Sequence, residues 1–269
     1  MICIDAGANV GEFSNYILNI DKTIITYAIE PNPYLAQQEL ASLAIKYKGR
    51  LFIKNFAIGK LSGTENLSTS QVFNSQIASV LPINIEAPWH PMIKQKLYEQ
   101  VNDDKLTTRV VSVETFCRDL KLDYIDILKI DIQGMDLLVY EEFLKYCEIG
   151  VAIIEVDTAD SFYLGTENNF TELARIVSKY NLNFLKVIPN NSDLTEFNVF
   201  VSKNSKNGIE LVNSFKLLDC QIFGRYSKVI GIAKLDSEEQ LFGKILKKVF
   251  TSFKHPVQSI ESALLKLTR

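Results

Sequence analysis

The first thirty residues constrain the fold most, because their pattern predicts a strand, a glycine turn, a helix and a second strand. The first strand and the turn occupy residues 3–11, CIDAGANVG. Apolar residues at helical spacing then predict a helix over about residues 10–20. A second apolar run, residues 23–29, ends at Glu30, and two prolines follow it. This order of elements is the one with which α/β sheets bind a ribose and the group attached to it.

The turn lacks the middle glycine of a dinucleotide fingerprint. Gly7 and Gly11 are present, but Asn9 stands where G-x-G-x-x-G has its second glycine. The first twenty residues contain no Lys or Arg, so a phosphate would find no cationic side chain there. Asn9 is instead in position to cap the helix, with Glu12 completing a capping box.

S-adenosylmethionine (SAM) fits such a turn better than a dinucleotide does. It has no phosphate, and it carries an amino acid zwitterion, a sulfonium and a ribose with two hydroxyls. Asp5 can face the positive amino or sulfonium group, Gly7 lets the backbone approach closely, and Glu30 can accept from both hydroxyls. Glu30 also follows the turn by about twenty residues, which is roughly the sequence spacing of a ribose-binding acid. We predict that SAM is bound by Asp5, Gly7, Asn9, Gly11 and Glu30; a plain strand-to-helix turn is the alternative.

A second segment, residues 126–136 (DILKIDIQGMD), completes a resemblance to a known family. Together with residues 5–11 it resembles the FkbM-type methyltransferases, a SAM-dependent class I family. The family pattern is D-x-G-A-N-x-G, then E-P, then L-K-I-D-x-E/Q-G-x-E, then an apolar strand ending in E. Residues 30–31 supply the E-P pair and residues 151–156 (VAIIEV) supply the last element. The resemblance covers about residues 1–202 and implies O-methylation of a hydroxyl of a sugar or secondary metabolite.

Two features depart from the family pattern. Asp136 stands where the family usually has Glu, which shortens that side chain by one methylene. Relatives usually have helices before the first strand that help to close the SAM site, whereas this sequence begins almost at that strand. Either another segment covers the cofactor, or this is a shortened chain.

Methyl transfer from a sulfonium is an in-line displacement, for which an enzyme mainly aligns the acceptor and excludes water. An alcohol acceptor can also need a nearby base. Ligands of open α/β sheets lie beyond the carboxyl ends of the strands, where we expect Asp131 and Glu155. We predict Asp131 as the first candidate to orient or deprotonate a hydroxyl, Glu155 as the second, and Lys129 as a residue that steers charge; each has a structural role as its alternative. Because the acids in this region match no EF-hand spacing, we predict no metal.

Strand and helix patterns alternate along the chain. Apolar runs lie at about residues 2–5, 23–29, 51–58, 125–131, 150–156, 183–188 and 197–202. Helical patterns lie near residues 10–20, 34–47, 135–147 and 167–180. The alternation predicts an α/β fold with a mainly parallel sheet and helices on both faces, and the turn-rich link at residues 189–193 predicts a final antiparallel hairpin. The resemblance implies the same architecture, a Rossmann-like class I methyltransferase sheet with an antiparallel last strand.

The charge distribution suggests two parts, a SAM-binding methyltransferase domain over residues 1–202 and a basic extension over residues 203–269. The first holds 17 Lys and Arg against 26 Asp and Glu, a net charge of −9, and the second holds 12 against 6, a net charge of +6. Residues 59–124 form an insertion that is either a substrate lid or an ordinary surface loop, with a strand and short helix over residues 110–120 leading back into the sheet. A basic amphipathic stretch, residues 240–253, either lies on an anionic membrane or a partner helix, or packs on its own domain.

Composition excludes several classes of protein. A chain of 269 residues with 47% hydrophobic residues can bury a large core, and it contains no apolar run long enough to span a membrane. Four scattered cysteines indicate reduced thiols in a cytoplasmic protein. The acidic first part argues against nucleic acid and leaves a small-molecule or glycan acceptor, as the resemblance implies. Two alternatives stay open at this point: an NAD-binding Rossmann oxidoreductase, and a non-catalytic scaffold that retains the methyltransferase fold.

Overall fold

The structure is a computed structural model that describes residues 1–69, 78–82, 106–157, 163–165, 167–190 and 196–220. Within these ranges the strands are β1 (Ile2–Ala6), β2 (Ile25–Ile29), β3 (Leu51–Lys54), β4 (Ala57–Gly59), β5 (Gly63–Thr69), β6 (Ala78–Ser79), β7 (Leu106–Ser112), β8 (Tyr124–Ile130), β9 (Glu148–Asp157), β10 (Asn183–Pro189) and β11 (Glu196–Ser202). The helices are α1 (Glu12–Ile20), α2 (Pro33–Leu35), α3 (Ala41–Lys46), α4 (Val113–Leu120), α5 (Asp136–Tyr146), α6 (Phe170–Tyr180) and α7 (Ser205–Ser214). A π-helical stretch, Ala36–Leu40, joins α2 to α3, and a 3-10 turn, Leu217–Asp219, follows α7.

Seven of these strands form the main sheet in the order β10-β11-β9-β8-β1-β2-β3. Strands β3, β2, β1, β8 and β9 run parallel, and β11 lies between β10 and β9 and is antiparallel to both. The predicted α/β sheet, mainly parallel with an antiparallel last strand, is therefore confirmed. The apolar run at residues 51–58 differs from the prediction, because it divides into β3 and β4, which belong to different sheets.

Helices cover both faces of the main sheet, as predicted. Neighbouring residues of β1 point to opposite faces, so that Ile4 lies in the core layer with α4, α5 and α6, and Cys3 lies in the layer with α1. Val212 of α7 and the following Phe215 are buried in this second layer. The described residues up to Cys220 therefore share the core of the main sheet, and the division at residue 202 stays a prediction.

Strands β4, β7, β5 and β6 form a smaller sheet, which the sequence patterns did not predict. Residues 110–120 do form the end of a strand and a short helix, but β7 does not return to the main sheet. It pairs in parallel with β4 and antiparallel with β5, so both of its edges form their backbone hydrogen bonds within the smaller sheet. Residues 70–77 and 83–105 of the predicted lid, and the whole of the basic stretch at residues 240–253, lie outside the described residues.

The turn after β1 touches the end of β8 so closely that no side chain fits between them. Gly7 has a φ of +80°, and a Cβ there would lie 1.7 Å from the carbonyl oxygen of Asp131. Asp131 N in turn donates to Ala6 O at 3.0 Å. The contact holds the two strand ends together, and it makes the glycine necessary both for its φ and for its size.

We expect Gly7→Ala to destabilise the fold by about 1–3 kcal/mol more than Gly49→Ala, because of this contact. Gly49 is a matched control, since its φ is +79° and nothing lies within 4 Å of its Cβ position. Both variants lose the freedom of glycine to adopt a left-handed backbone, so their difference isolates the steric term. The measurement is the free energy of unfolding in urea, and equal losses in the two variants would contradict the close approach.

Candidate functional site

The predicted SAM-binding residues lie where β1 and β2 end. Gly7 N and Ala8 N both donate to Ile29 O at 3.0 Å, which ties the glycine turn to the end of β2. Glu30 follows β2 directly, and Asp5 is buried inside β1. The backbone of the turn therefore places the acid beside the loop, as the order of elements predicts.

Asn9 does not cap α1, so this prediction is wrong. The helix begins at Glu12, its preceding residue Gly11 has a φ of 82°, and the described side chains include none that caps it. Asn9 itself has a φ of 50°, and its backbone amide donates to Glu30 Oε2 at 2.8 Å. The left-handed turn directs the residue toward the end of β2 rather than toward the helix.

Backbone amides hold both oxygens of the Glu30 carboxyl group. Oε2 accepts from Asn9 N and Oε1 accepts from Asn32 N, each at 2.8 Å. Burial raises the pKa of Glu30 to about 7, and the two amides act in the opposite direction. A carboxylate oxygen has two lone pairs, so the group can still accept from a diol while its position stays fixed.

Two buried acceptors of this region have no hydrogen-bond donor among the described residues, Asn9 Oδ1 and Asp5 Oδ1. The other carboxylate oxygen of Asp5 accepts from Ser14 Oγ at 2.6 Å. Together with the Glu30 carboxyl group, these two oxygens offer hydrogen-bond acceptors to a ligand that carries donors. The ribose diol and ammonium of SAM bring them, whereas a pyrophosphate brings only acceptors and negative charge. The residues present fit SAM.

The two glycines of the turn serve its packing. The Cβ position of Gly7 is filled by the Asp131 carbonyl, and that of Gly11 by side chains of Leu40 and Leu43 at 2.7 and 2.5 Å. Both residues therefore keep neighbouring elements in contact. Their direct contact with SAM stays a prediction.

Lys129 lies inside the protein rather than in solvent, between two carboxylates. Its Nζ is 3.2 Å from Asp131 Oδ2 and 3.9 Å from Asp5 Oδ1. Burial lowers the pKa of this ammonium, but Asp131 and then Asp5 outweigh burial, so that the pKa is raised overall. Lys129 therefore stays charged and cannot act as a base.

The two carboxyl groups predicted for catalysis are brought together by one amide. Asp131 follows β8 directly, whereas Glu155 lies inside β9, two residues before its end. Gln133 Nε2 donates to Asp131 Oδ1 at 3.0 Å and to Glu155 Oε2 at 3.4 Å. The side chain of Asp131 is 30% exposed, and Glu155 as a residue is 8% exposed. Asp131 is thus the acid of the pair that a substrate can reach.

The two carboxyl groups have opposite pKa shifts. Burial acts to raise the pKa of Asp131, but the ammonium of Lys129 and the hydrogen bond from Gln133 lower it below its ordinary value. Burial, and then the charge of Asp131, raise the pKa of Glu155 well above its ordinary value. The pair therefore favours its negative charge on Asp131 and a proton on Glu155.

Three polar residues complete this site and were not predicted from the sequence. Gln133 lies in the quoted motif and has a left-handed φ of 62°. Tyr163 donates to Gln133 Oε1 at 2.8 Å, and Asn190 donates through Nδ2 to Glu155 Oε1. In the sequence, the available signal for Gln133 was its position directly before a glycine. Tyr163 and Asn190 approach the site only through the fold.

Asp136 holds the loop between β8 and α5. Its carboxylate accepts from Ile132 N at 2.8 Å and from Gly134 N at 3.0 Å. Burial raises its pKa to about 7. The group lies at the start of its helix, where the residue takes a structural role. In the part of the chain that the structure describes, no three His, Cys, Asp or Glu side chains are arranged to hold a metal.

The strand order, with β11 reversed between β10 and β9, is that of the Rossmann-like class I methyltransferase fold. The model of the methyltransferase FkbM domain matches residues 5–182, so this chain belongs to the FkbM methyltransferase family, and its cofactor is SAM. The resemblance inferred from the motifs is confirmed, and the alternative of an NAD-binding oxidoreductase is removed.

Solved structures with a similar fold include TrmK of M. capricolum in complex with S-adenosylhomocysteine (SAH), with 16% identity and a TM-score of 0.39 over 76% of this chain and 62% of that one. An O-methyltransferase family 2 protein of Planctomyces limnophilus, in complex with apigenin, has 10% identity and a TM-score of 0.40 over 76% and 50%. An uncharacterised Listeria monocytogenes protein has 10% identity and a TM-score of 0.38 over 98% and 92%. The chain thus spans less than two thirds of the first two proteins. A comparison with curated proteins finds no significant match.

Among the described residues, none of the helices combines the length and the apolar character needed to cross a membrane.

We expect Lys129→Met to destabilise the protein by about 3–5 kcal/mol near neutral pH, because it leaves the buried carboxylate of Asp5 and the partly exposed carboxylate of Asp131 without their cation. Without Lys129, the folded-state pKa values of Asp5 and Asp131 rise, so the folded protein binds protons more readily as the pH falls. The loss of stability should therefore be smaller at about pH 5 than at about pH 8. Urea unfolding at both pH values measures it.

Lys179→Met is the control, because this exposed lysine forms its ion pair with Glu141 at the surface. It should cost far less and should show no such pH dependence. If Lys129→Met lowered the free energy of unfolding equally at both pH values, Lys129 would not stabilise the protein through its charge interactions with Asp5 and Asp131.

Proposed function

We propose that this protein transfers a methyl group from SAM to a hydroxyl of a sugar or another hydroxylated small molecule. Membership of the FkbM family supports methyl transfer. The observation that supports a hydroxyl oxygen as the methyl acceptor is the exposure of Asp131, whose carboxylate can accept a hydroxyl proton. Its backbone also contacts Gly7 of the SAM turn, which brings base and cofactor turn together.

The charge of the site bears on the acceptor class. Burial first, and then the charges of neighbouring acids, raise the pKa values of Glu155 and Asp157, so the exposed negative charge of this edge lies on Asp131. A carboxylate at this position would repel a phosphorylated or nucleic acid acceptor. An uncharged polyhydroxylated molecule is better matched, because its hydroxyls can donate to the carboxyl oxygens.

In the proposed methyl transfer, each residue of the site has a separate role. When bound, SAM supplies a methyl group on a sulfonium, which an acceptor oxygen displaces in line. Asp131 orients the acceptor hydroxyl and takes its proton at a carboxylate oxygen, while Lys129 keeps that carboxylate ionised. Tyr163 packs against Gly134 and Ser79 Oγ donates to Gln133 O at 2.8 Å, so that both hold the loop after β8 in place beside Asp131.

The first test of this proposal is calorimetry with SAM and SAH. We expect Glu30→Ala to weaken SAM binding by about 1–3 kcal/mol, because it removes the buried acceptor of the ribose hydroxyls. Glu141→Ala is the matched control, since this carboxylate pairs with Arg175 and Lys179 on the outer helices. Equal affinities in wild type and Glu30→Ala would remove Glu30 from the cofactor site.

A second test separates binding from turnover. With labelled SAM and a panel of sugars and other hydroxylated metabolites, we expect wild type to release SAH and methylated product. Asp131→Asn should keep SAM affinity within a few-fold but lower kcat by about 10²–10⁴-fold, because an amide cannot take the proton. Cofactor binding without turnover on any hydroxylated acceptor would instead favour the non-catalytic scaffold.

A further inference from the structure

A chain of amide groups leads from the antiparallel strands to Glu155. Asn198 of β11, which lies opposite Glu155 in the register, is buried, and its Nδ2 donates to Asn190 Oδ1 at 3.2 Å. Because Asn190 accepts through its oxygen, its Nδ2 faces Glu155 and donates to Oε1. Glu155 Oε1 is therefore an acceptor, and it does not carry a proton.

The other oxygen of Glu155 faces the second amide of the site. Tyr163 donates to Gln133 Oε1, so this amide also has a defined direction, and its Nε2 points to both Asp131 Oδ1 and Glu155 Oε2. Both carboxyl oxygens bond to this one nitrogen, so they lie close to each other, and two carboxyl groups this close favour a single charge and a single proton. Since Lys129 contacts Asp131, the charge belongs there and the proton belongs on Glu155 Oε2.

The charged groups that face Glu155 agree with this arrangement. Asp131 and Asp136 act from β8 and the start of α5, Asp157 from the end of β9, and Glu196 from β11, and all four disfavour a second negative charge. Lys129 lies against Asp131, with its Nζ 3.2 Å from Asp131 Oδ2. Burial and the acids around Glu155 therefore both favour its neutral form.

We propose that Glu155 is a positioning residue that keeps its proton throughout turnover and holds Asp131 in place by donating a hydrogen bond to it. This inference deepens the proposed function and rests on it. In the methyl transfer, the acceptor O–H proton moves to Asp131, the new O–CH₃ bond forms as the S–CH₃ bond breaks, and SAH leaves. Asp131 then gives the proton to solvent, and Glu155 loses none.

Glu155→Gln tests the proposal, because glutamine is a neutral isostere that can donate to Asp131 and still accept from Asn190. We expect kcat to fall by less than about tenfold in Glu155→Gln and by about 10²-fold or more in Glu155→Ala, which loses the donor. We also expect wild-type kcat to decline at alkaline pH as Glu155 loses its proton, and this decline to be absent in Glu155→Gln. A loss in Glu155→Gln as large as in Asp131→Asn would make Glu155 the base and overturn the proposal.

Two measurements do not need turnover and so separate this inference from the proposed function. At neutral pH, the infrared spectrum of wild type minus that of Glu155→Gln should contain the carbonyl stretch of one protonated carboxylic acid. The spectrum of wild type minus that of Glu148→Gln, a change at an exposed residue at the start of the same strand, should not contain it. A spectrum unchanged by Glu155→Gln would overturn the proposal even if the enzyme methylates its acceptor.

The free energy of unfolding gives the second measurement. Glu155 has its pKa raised in the folded state, so the folded protein binds more protons than the unfolded chain, and stability falls as pH rises above the ordinary pKa of a glutamate. Part of this decline should disappear in Glu155→Gln and remain in Glu148→Gln. An identical pH dependence in all three proteins would show that Glu155 is ionised in the fold, which the proposal forbids.

Discussion

The ammonium of Lys129 is the interaction on which this site depends. It is buried between Asp5 of β1 and Asp131 after β8, so one cation joins two neighbouring strands at the edge where the cofactor turn begins. A buried charge is tolerated only with such partners, and each carboxylate would be costly to bury without it. The same contact keeps Asp131 ionised, because the pKa of a carboxyl group falls beside a cation.

Local patterns in the sequence predicted those parts of the fold that local rules determine. The alternation of strand and helix and the acid after β2 arise from residues a few positions apart, and the structure has them. The cap at Asn9 failed for a local reason too, since a side chain caps a helix only when the backbone turns it that way, and here the residue is left-handed. Sequence pattern gives residue types, whereas a cap also needs a backbone angle.

The remaining features depend on strand register and on contacts between distant residues. Asp5 and Lys129 lie side by side because β1 pairs with β8 in that register, which brings together residues more than a hundred positions apart. The amides around Glu155 come from three different segments, Gln133 after β8, Asn190 after β10 and Asn198 in β11. Sequence reasoning therefore chose both carboxyl groups but had no means of assigning their proton states.

The position of Lys129, the one buried cation among the described residues, favours one assignment of those proton states. Lys129 contacts Asp131, so negative charge is favoured on Asp131 and the proton on Glu155. Asp131 is also the more exposed of the two, so charge and access to a substrate coincide at one group. If the lysine lay beside Glu155, the charged carboxylate would be buried and the exposed one would be protonated. In the proposed reaction, the position of this ammonium therefore favours Asp131 over Glu155 as the group that receives the proton of the acceptor.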